Sequence, residues 1–436
     1  MKRADARVYC LLTTCLLVLC AVCSPVGANV VLEVWSLWTE DHPINVDLKA
    51  IAEVYEANHP GVTVNITAPP DIANKLKVAV AAGVAPDVTF ANGGVISNKA
   101  TFPDLLQPLT PLMQRDGVLT SYLPASLQSF CRWDGVVYAA PYSVDPNFAV
   151  LYNRDLFQEG GIDPDSPPNT PSELVEINRR LVRTDPDGQL TQIGIIPWRM
   201  YGEHTALINW SLACGGVQVS DGRRYTLDHP SVIEALEWMN DFGDAIGGNK
   251  AIDALGSAYQ YHDLGNIAMQ PLVSANAAEA VIHLPDVDYG LTWLPATAGG
   301  VAPIWLGGQW LAIPKGAQHP TEAWDFIRFA TLDLDAIGLS ALSRFSGAEA
   351  AYSKGVYAIS AYRRGGMSTM MSRIFAFYAS LAPQGQPILE APIWYWSDIA
   401  QEVRKVVVDH ELPPREAMVQ LNSILNKRLD TEVYGQ

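Results

Sequence analysis

The sequence predicts an α/β protein with mixed sheets flanked by helices, large enough for two lobes. Three observations carry this. Near the N-terminus, β-branched runs alternate with amphipathic stretches as strand, helix, strand, helix, strand, the spacing of a parallel sheet with helices on its faces. The chain has 436 residues, and the roughly 400 left after the leader suit two lobes better than one domain. In the middle, residues 134–157 read as two apolar strand runs on either side of a short crossing segment that holds a lone Asp145.

Taken in order, residues 1–28 read as a signal peptide. Lys2, Arg3 and Arg7 precede an apolar stretch at 11–22, and Val26-Gly27-Ala28 offers a small-residue cleavage site. That stretch is too short to span a bilayer comfortably. Cys20 and Cys23 lack a lipobox context. Residues 30–35 (VVLEVW) form a first strand, followed by a polar turn at 39–43. Leu48, Ile51, Ala52 and Tyr55 recur at helical spacing until Asn58-His59-Pro60-Gly61 stops them. A strand over 62–66, a helix over 72–82 ended by Gly83, and a strand over 88–91 complete the first unit. Ligands of such sheets sit outside the carboxyl ends of the strands, here residues 35–41 and 92–94.

Trp133-Asp134-Gly135 is a turn. The run from Phe148 to Tyr152 stops at Asn153-Arg154-Asp155, a helix start. Thr170, Pro171 and Glu173 have capping-box spacing for a helix over 174–182. Residues 193–196 read as a strand, 207–213 as an apolar run and 231–242 as an amphipathic helix. Residues 288–294 read as a strand returning to the first lobe, and 305–313 as a glycine-hinged strand. Helices follow over 321–331, 397–408 and from 413 to 429.

Net charge is −17, and the basic leader leaves the remainder more acidic still. This argues against nucleic acid and anionic membranes as partners. Of six cysteines only Cys131 and Cys214 lie beyond the leader. They fall in different lobes or at the lobe boundary, where a disulfide would tie a hinge, so two separate buried thiols are expected.

The order of these pieces resembles the extracellular solute-binding proteins of sugar ABC transporters, the family of the maltose-binding protein. The resemblance rests on His59-Pro60-Gly61-Val62-Thr63-Val64, on Ala81-Ala82-Gly83-Val84-Ala85-Pro86-Asp87-Val88, on the 134–157 segment, on Gly307-Gly308 with Ile313-Pro314-Lys315-Gly316 and Ala323-Trp324-Asp325-Phe326, and on the closing helix pair. It spans nearly the whole chain after the leader. It implies a two-lobe type II periplasmic-binding-protein-like fold joined by hinge strands. One lobe would be 29–142 plus 289–340, the other 143–288 plus 341–436. It also implies an exported monomer in the periplasm or at the outer face of the cytoplasmic membrane. Such a protein would bind a sugar in the interlobe cleft and deliver it to a permease, with no cofactor and no catalysis. Two departures put maltodextrin specificity in doubt: Ala91-Asn92-Gly93 stands after the Pro-Asp strand, and residues 265–271 lack a Gly-Pro-Trp ending.

A pyranose offers an apolar C–H face to an indole and a rim of hydroxyls to carboxylates and amides. Of the twelve tryptophans, Trp238 and Trp324 lie on apolar helix faces and read as core. Trp38, Trp198, Trp210, Trp305, Trp310, Trp394 and Trp396 lie in loops or at strand ends and are candidate stacking residues, with a lobe core as the other reading and Trp38, Trp394 and Trp396 favoured for the site. Asp145 is the leading hydroxyl acceptor, or else a turn-capping acid before Pro146. Glu40, Asp41, Asn92 and Tyr142 complete the set, and Arg344 and Arg373 are left between ligand pairing and lobe ion pairs. Polyamines or glycerol phosphate esters are alternative ligands. No Gly-x-Ser-x-Gly, His-Glu-x-x-His or phosphate loop occurs. A glycan-active enzyme with paired carboxylates is the other alternative.

Overall fold

The structure, a computed structural model, describes residues 29–40, 43–92, 95–96, 98–118, 130–244, 246–256, 264–297, 305–331, 369–381 and 391–435. The leader, Asp41, Gly93-Gly94 and Arg344 lie outside the described residues. No helix among the described residues is long and apolar enough to cross a membrane.

The first sheet begins as the periodicity predicts. Strand β1 (Val30–Trp35), helix α1 (Pro43–Asn58), β2 (Val62–Thr67), α2 (Ile72–Ala82) and β3 (Val88–Phe90) follow one another. β1 runs parallel to β2 from Val30 opposite Val62 to Trp35 opposite Thr67, and parallel to β3 on its other side. Leu32 and Val34 alternate into the core, where Leu48, Ile51 and Tyr55 of α1 cover them. Gly83 ends α2 at φ 71°, the left-handed cap glycine adopts without a Cβ clash.

Short helices α3 (Phe102–Leu105) and α4 (Thr110–Arg115) lead to a hairpin of β4 (Arg132–Trp133) and β5 (Val136–Val137). Asp134 and Gly135 form its turn at φ 48° and 78°, the paired positive values of a tight hairpin. Then β6 (Ala139–Asn147) and β7 (Ala149–Asn153) carry the chain from one sheet to the other. Helix α5 (Arg154–Glu159) starts where the Asn153 side chain accepts from the Asp155 and Leu156 amides. Helix α6 (Pro171–Leu181) carries the predicted capping box between Thr170 and Glu173.

Past β8 (Arg183–Thr184) and β9 (Leu190–Gln192), the strand expected over 193–196 is reduced to one bridge, Ile193 to Ile267. The Asn178 side-chain oxygen takes the amides of Gly194 (2.7 Å) and Ile195 (3.0 Å), donors that a ladder would have used. Helices α7 (Glu203–Gly215), α8 (Pro230–Asp241) and α9 (Asn249–Leu255) follow. Next come β10 (Met269–Leu272), α10 (Ser274–His283), β11 (Tyr289–Thr292), β12 (Trp305–Ala312), α11 (Pro320–Thr331), α12 (Thr369–Leu381), α13 (Trp396–Val407) and α14 (Pro414–Glu432).

The first sheet has the order β2-β1-β3-β12-β6 and the second β10-β7-β11. These pairings shift the expected lobe edges. β6 stays in the first sheet to Asn147, past the expected edge at 142. Residues 289–292, expected to return to the first lobe, pair antiparallel with β7 in the second sheet. The chain therefore changes sheets between Asn147 and Ala149 and returns between Thr292 and Trp305. α13 and α14 pack on α7 and α8 in the second lobe. Cys131 and Cys214 are separate thiols, the first buried, the second half-buried with its thiol pushed up to about 11 by burial.

Candidate functional site

On the first lobe the candidate residues gather beyond the carboxyl ends of β1 and β3. Phe90 is fully buried, and the Trp38 ring meets it edge-on at 4.9 Å. Tyr142, also fully buried, meets it edge-on at 5.9 Å. The Ala91 amide donates to the Trp310 carbonyl (2.9 Å), which pins the chain just before Asn92. The Asn92 amide group donates to Gln309 of β12, beside an irregularity in the β6–β12 ladder. Its Oδ1 is buried and accepts no hydrogen bond from the described residues. Trp310 itself stacks on Phe130 at 5.0 Å and is 4 % exposed, so its ring belongs to the first-lobe core.

Glu40 is exposed and bonded to Lys49 at 2.5 Å. That hydrogen bond and the Lys49 charge hold its carboxyl below the ordinary value. Asp145 lies on the crossing strand, its backbone opposite Gly307, and Trp305 is paired opposite Asn147 at the end of the same ladder. Both side chains lie outside the described residues.

On the second lobe, residues 391–396 lead into α13. Trp394 and Trp396 stack at 4.4 Å with an interplanar angle of 22°. His204, near the start of α7, meets Trp396 edge-on at 4.3 Å. The Tyr225 hydroxyl clamps this segment, donating to the Ile393 carbonyl (2.7 Å) and accepting from the Tyr395 amide (3.0 Å). The segment also reaches the first lobe: the Lys99 amide donates to the Pro392 carbonyl (2.9 Å), and Asn98 bridges to Ile393. The indole pair thus stands where the two lobes meet. Two polar atoms here, Trp394 Nε1 and His204 Nδ1, are buried without a partner among the described residues. Loss of solvation pushes the His204 imidazole down to about 4, so it is neutral at pH 7.

Trp198 and Trp210 go elsewhere, a correction to the expected set. Both are 0 % exposed, and each spends its N–H inside the second lobe, on Asp253 Oδ1 (2.9 Å) and on the Pro197 carbonyl (2.9 Å). With no free face and no free donor they serve packing. Asp253 gathers Trp198, Arg199 (3.2 Å) and Arg404 (2.8 Å). Burial alone would raise its carboxyl; the Trp198 and Arg404 hydrogen bonds and the Arg199 charge outweigh it and leave it lowered.

Sequence reasoning missed His204 and its neighbour Tyr201. Tyr201 is 68 % exposed at φ 58°, strained for a residue with a side chain, and Gly202 follows at φ 120°. A Cβ on Gly202 would lie 2.7 Å from the His204 ring. A Tyr-Gly pair just before a helix starting with Glu203 was the available signal.

The family model described as bacterial extracellular solute-binding protein matches residues 43–333. A relative named maltotriose-binding protein, from Pyrococcus abyssi (strain GE5 / Orsay), is 25% identical over 317 residues. The match covers 70% of this chain and 64% of that relative's length, less than two thirds of it. The structure of CpMnBP1 with mannotriose bound superposes with a TM-score of 0.68 at 21% identity, covering 90% of this chain and 99% of that one. The cyclic alpha-maltosyl-1,6-maltose binding protein from Arthrobacter globiformis gives 0.65 at 19%, covering 93% and 100%. The maltotriose-bound MalE domain from Bdellovibrio bacteriovorus gives 0.63 at 16%, covering 92% and 100%. These likenesses show the two-lobed type II fold.

Proposed function

This chain belongs to the bacterial extracellular solute-binding proteins, and on that premise we propose that it binds a sugar or oligosaccharide between its lobes and hands it to the permease of an ABC transporter. The observation that carries this is the Trp394–Trp396 stack, set against His204 where the lobes meet. A pyranose lays its C–H face on the indoles. Its hydroxyls supply partners for Trp394 Nε1, His204 Nδ1 and Asn92 Oδ1, which have none among the described residues. Trp38 walls the first-lobe side, backed by the buried Phe90 and Tyr142, and Asp145 belongs to the crossing strand. A charged hydrogen bond accepted by Asp145 contributes about 1.5–3 kcal/mol. The sugar-bound neighbours and the maltotriose-binding relative support the ligand class. The protein works outside the cytoplasmic membrane as a binding component without turnover.

The test is thermal melting of the purified protein against mono- and oligosaccharides, polyamines and phosphate esters. A ligand at about 100 times its Kd stabilises by about 2.7 kcal/mol. A shift with one carbohydrate class is expected. A shift with polyamines or phosphate esters alone overturns the sugar assignment, and slow consumption of an oligosaccharide overturns the non-enzymatic one.

A further inference from the structure

The second lobe carries an open groove of about 730 Å³, lined by edge strand β11, the turn at 165–169 and helix α12. It lies away from the cleft described above. The Ala296 amide donates to the Asn169 carbonyl (3.2 Å), and the Thr297 amide to the Ala213 carbonyl (3.0 Å) at the far end of α7 from His204. At a rise of about 1.5 Å per residue, the ends of that 13-residue helix stand roughly 18 Å apart.

Trp293 ends the β11 wall. It directly follows the last paired residue of that edge strand, Thr292, and is 46 % exposed. Its ring is parallel to Phe377 of α12, with planes at 9° and centroids 6.5 Å apart. The rim holds two arginines of different standing. Arg154 is spent: it bonds Asp165 (2.8 Å), Asp288 (3.2 Å) and the Pro164 carbonyl (3.0 Å). Arg373 is exposed and has no ion pair among the described residues. It precedes Phe377 by four residues, so it rises from the same helix face about 6 Å along the axis.

An exposed ring, and a guanidinium without an ion pair among the described residues on the helix that the ring stacks against, match one chemistry. The indole takes the C–H face of a sugar ring, and the guanidinium takes a carboxylate in a forked pair. We propose that this groove is a second site, for a pyranoside bearing a carboxylate, with its ring on Trp293 and its acid on Arg373. The chain as a whole carries −17 and repels such a ligand, so the contact with Arg373 itself supplies the attraction. Binding is therefore sensitive to salt.

The test titrates the full-length protein with oligogalacturonate and with a neutral oligosaccharide of the same length, by calorimetry at two salt concentrations. Trp293→Ala and Arg373→Gln each weaken the uronate by roughly 10-fold or more, and added salt weakens it in the unsubstituted protein. Trp396→Ala, which disables the cleft, leaves it unchanged. The half-exposed Trp293 and exposed Arg373 tolerate substitution, and melting curves check this. No uronate binding overturns the site. So does binding that Trp396→Ala abolishes while Trp293→Ala leaves it intact, and so does equal binding of the neutral sugar undisturbed by Arg373→Gln.

Discussion

A buried N–H without an acceptor costs about 1–3 kcal/mol, so the Trp394 indole holds its place at a cost that a ligand oxygen would remove. The same holds for Asn92 Oδ1 across the lobe junction. Trp396→Ala removes the stacked surface beside it. Affinity for the sugar found by melting then drops roughly 10-fold or more, since the contact exceeds about 1.4 kcal/mol. Asp145→Ala does the same by removing a hydroxyl acceptor. Unchanged Kd values in both variants would discard this map of the site. His204 gives a pH signature. Its folded value, about 4, lies below its ordinary 6.5, so the unfolded chain takes up the proton first. Its contribution to stability is fully present above pH 6.5 and is lost as pH falls towards 4. His204→Gln flattens the stability profile within that window, measured by urea unfolding at stepped pH. A profile of unaltered slope would contradict the neutral, desolvated imidazole. Candidate tryptophans were legible in the sequence as a set, but their sorting was not. Trp198 and Trp394 both follow apolar stretches at a loop, and only the partner that each N–H meets, Asp253 or none among the described residues, tells core from site.

At the level of elements, local chemistry was most readable where it closes on itself. The capping box of α6, the stop at Gly83 and the hairpin at Asp134-Gly135 each depend on a few adjacent residues, and each stands where the sequence puts it. Thr170→Ala costs about 1 kcal/mol, seen as a lower urea midpoint with an unchanged slope. Elements decided by distant partners were harder. The apolar run at 207–213 gave no helical stripe because α7 is buried on every side from Thr205 to Ala213. The strand expected over 193–196 yields to Asn178, a side chain from another helix. The destination of β11 depends on Tyr152, whose ring lies over Gly290: a Cβ there would come within 2.0 Å of it. Gly290→Ala therefore costs about 1–3 kcal/mol through overpacking, and a drop in melting temperature checks it. Melting at the parental temperature would mean that the ring yields freely.

At the scale of the whole molecule, two lobes joined by more than one strand make a clamp whose open and closed forms a ligand can bias only through differential affinity. Sugar binding is expected to reduce the radius of gyration in solution scattering. A profile identical with and without a saturating ligand would separate binding from closure. The two-lobe plan was legible because the strand–helix alternation and the 134–157 segment survive in sequence; the lobe edges were not, because sheet membership is settled by pairing across long separations. One pairing has a consequence for how the chain is made. In the order β2-β1-β3-β12-β6, the strand that joins β6 to the rest of its sheet is β12. That strand follows the entire inserted second sheet in the sequence. The first lobe, though it leads the chain, cannot finish until residues 305–312 arrive and zip its two halves together. Such high contact order makes completion slow. A nascent chain on its way through an export channel is therefore kept threadable by its own topology until most of it has been synthesised.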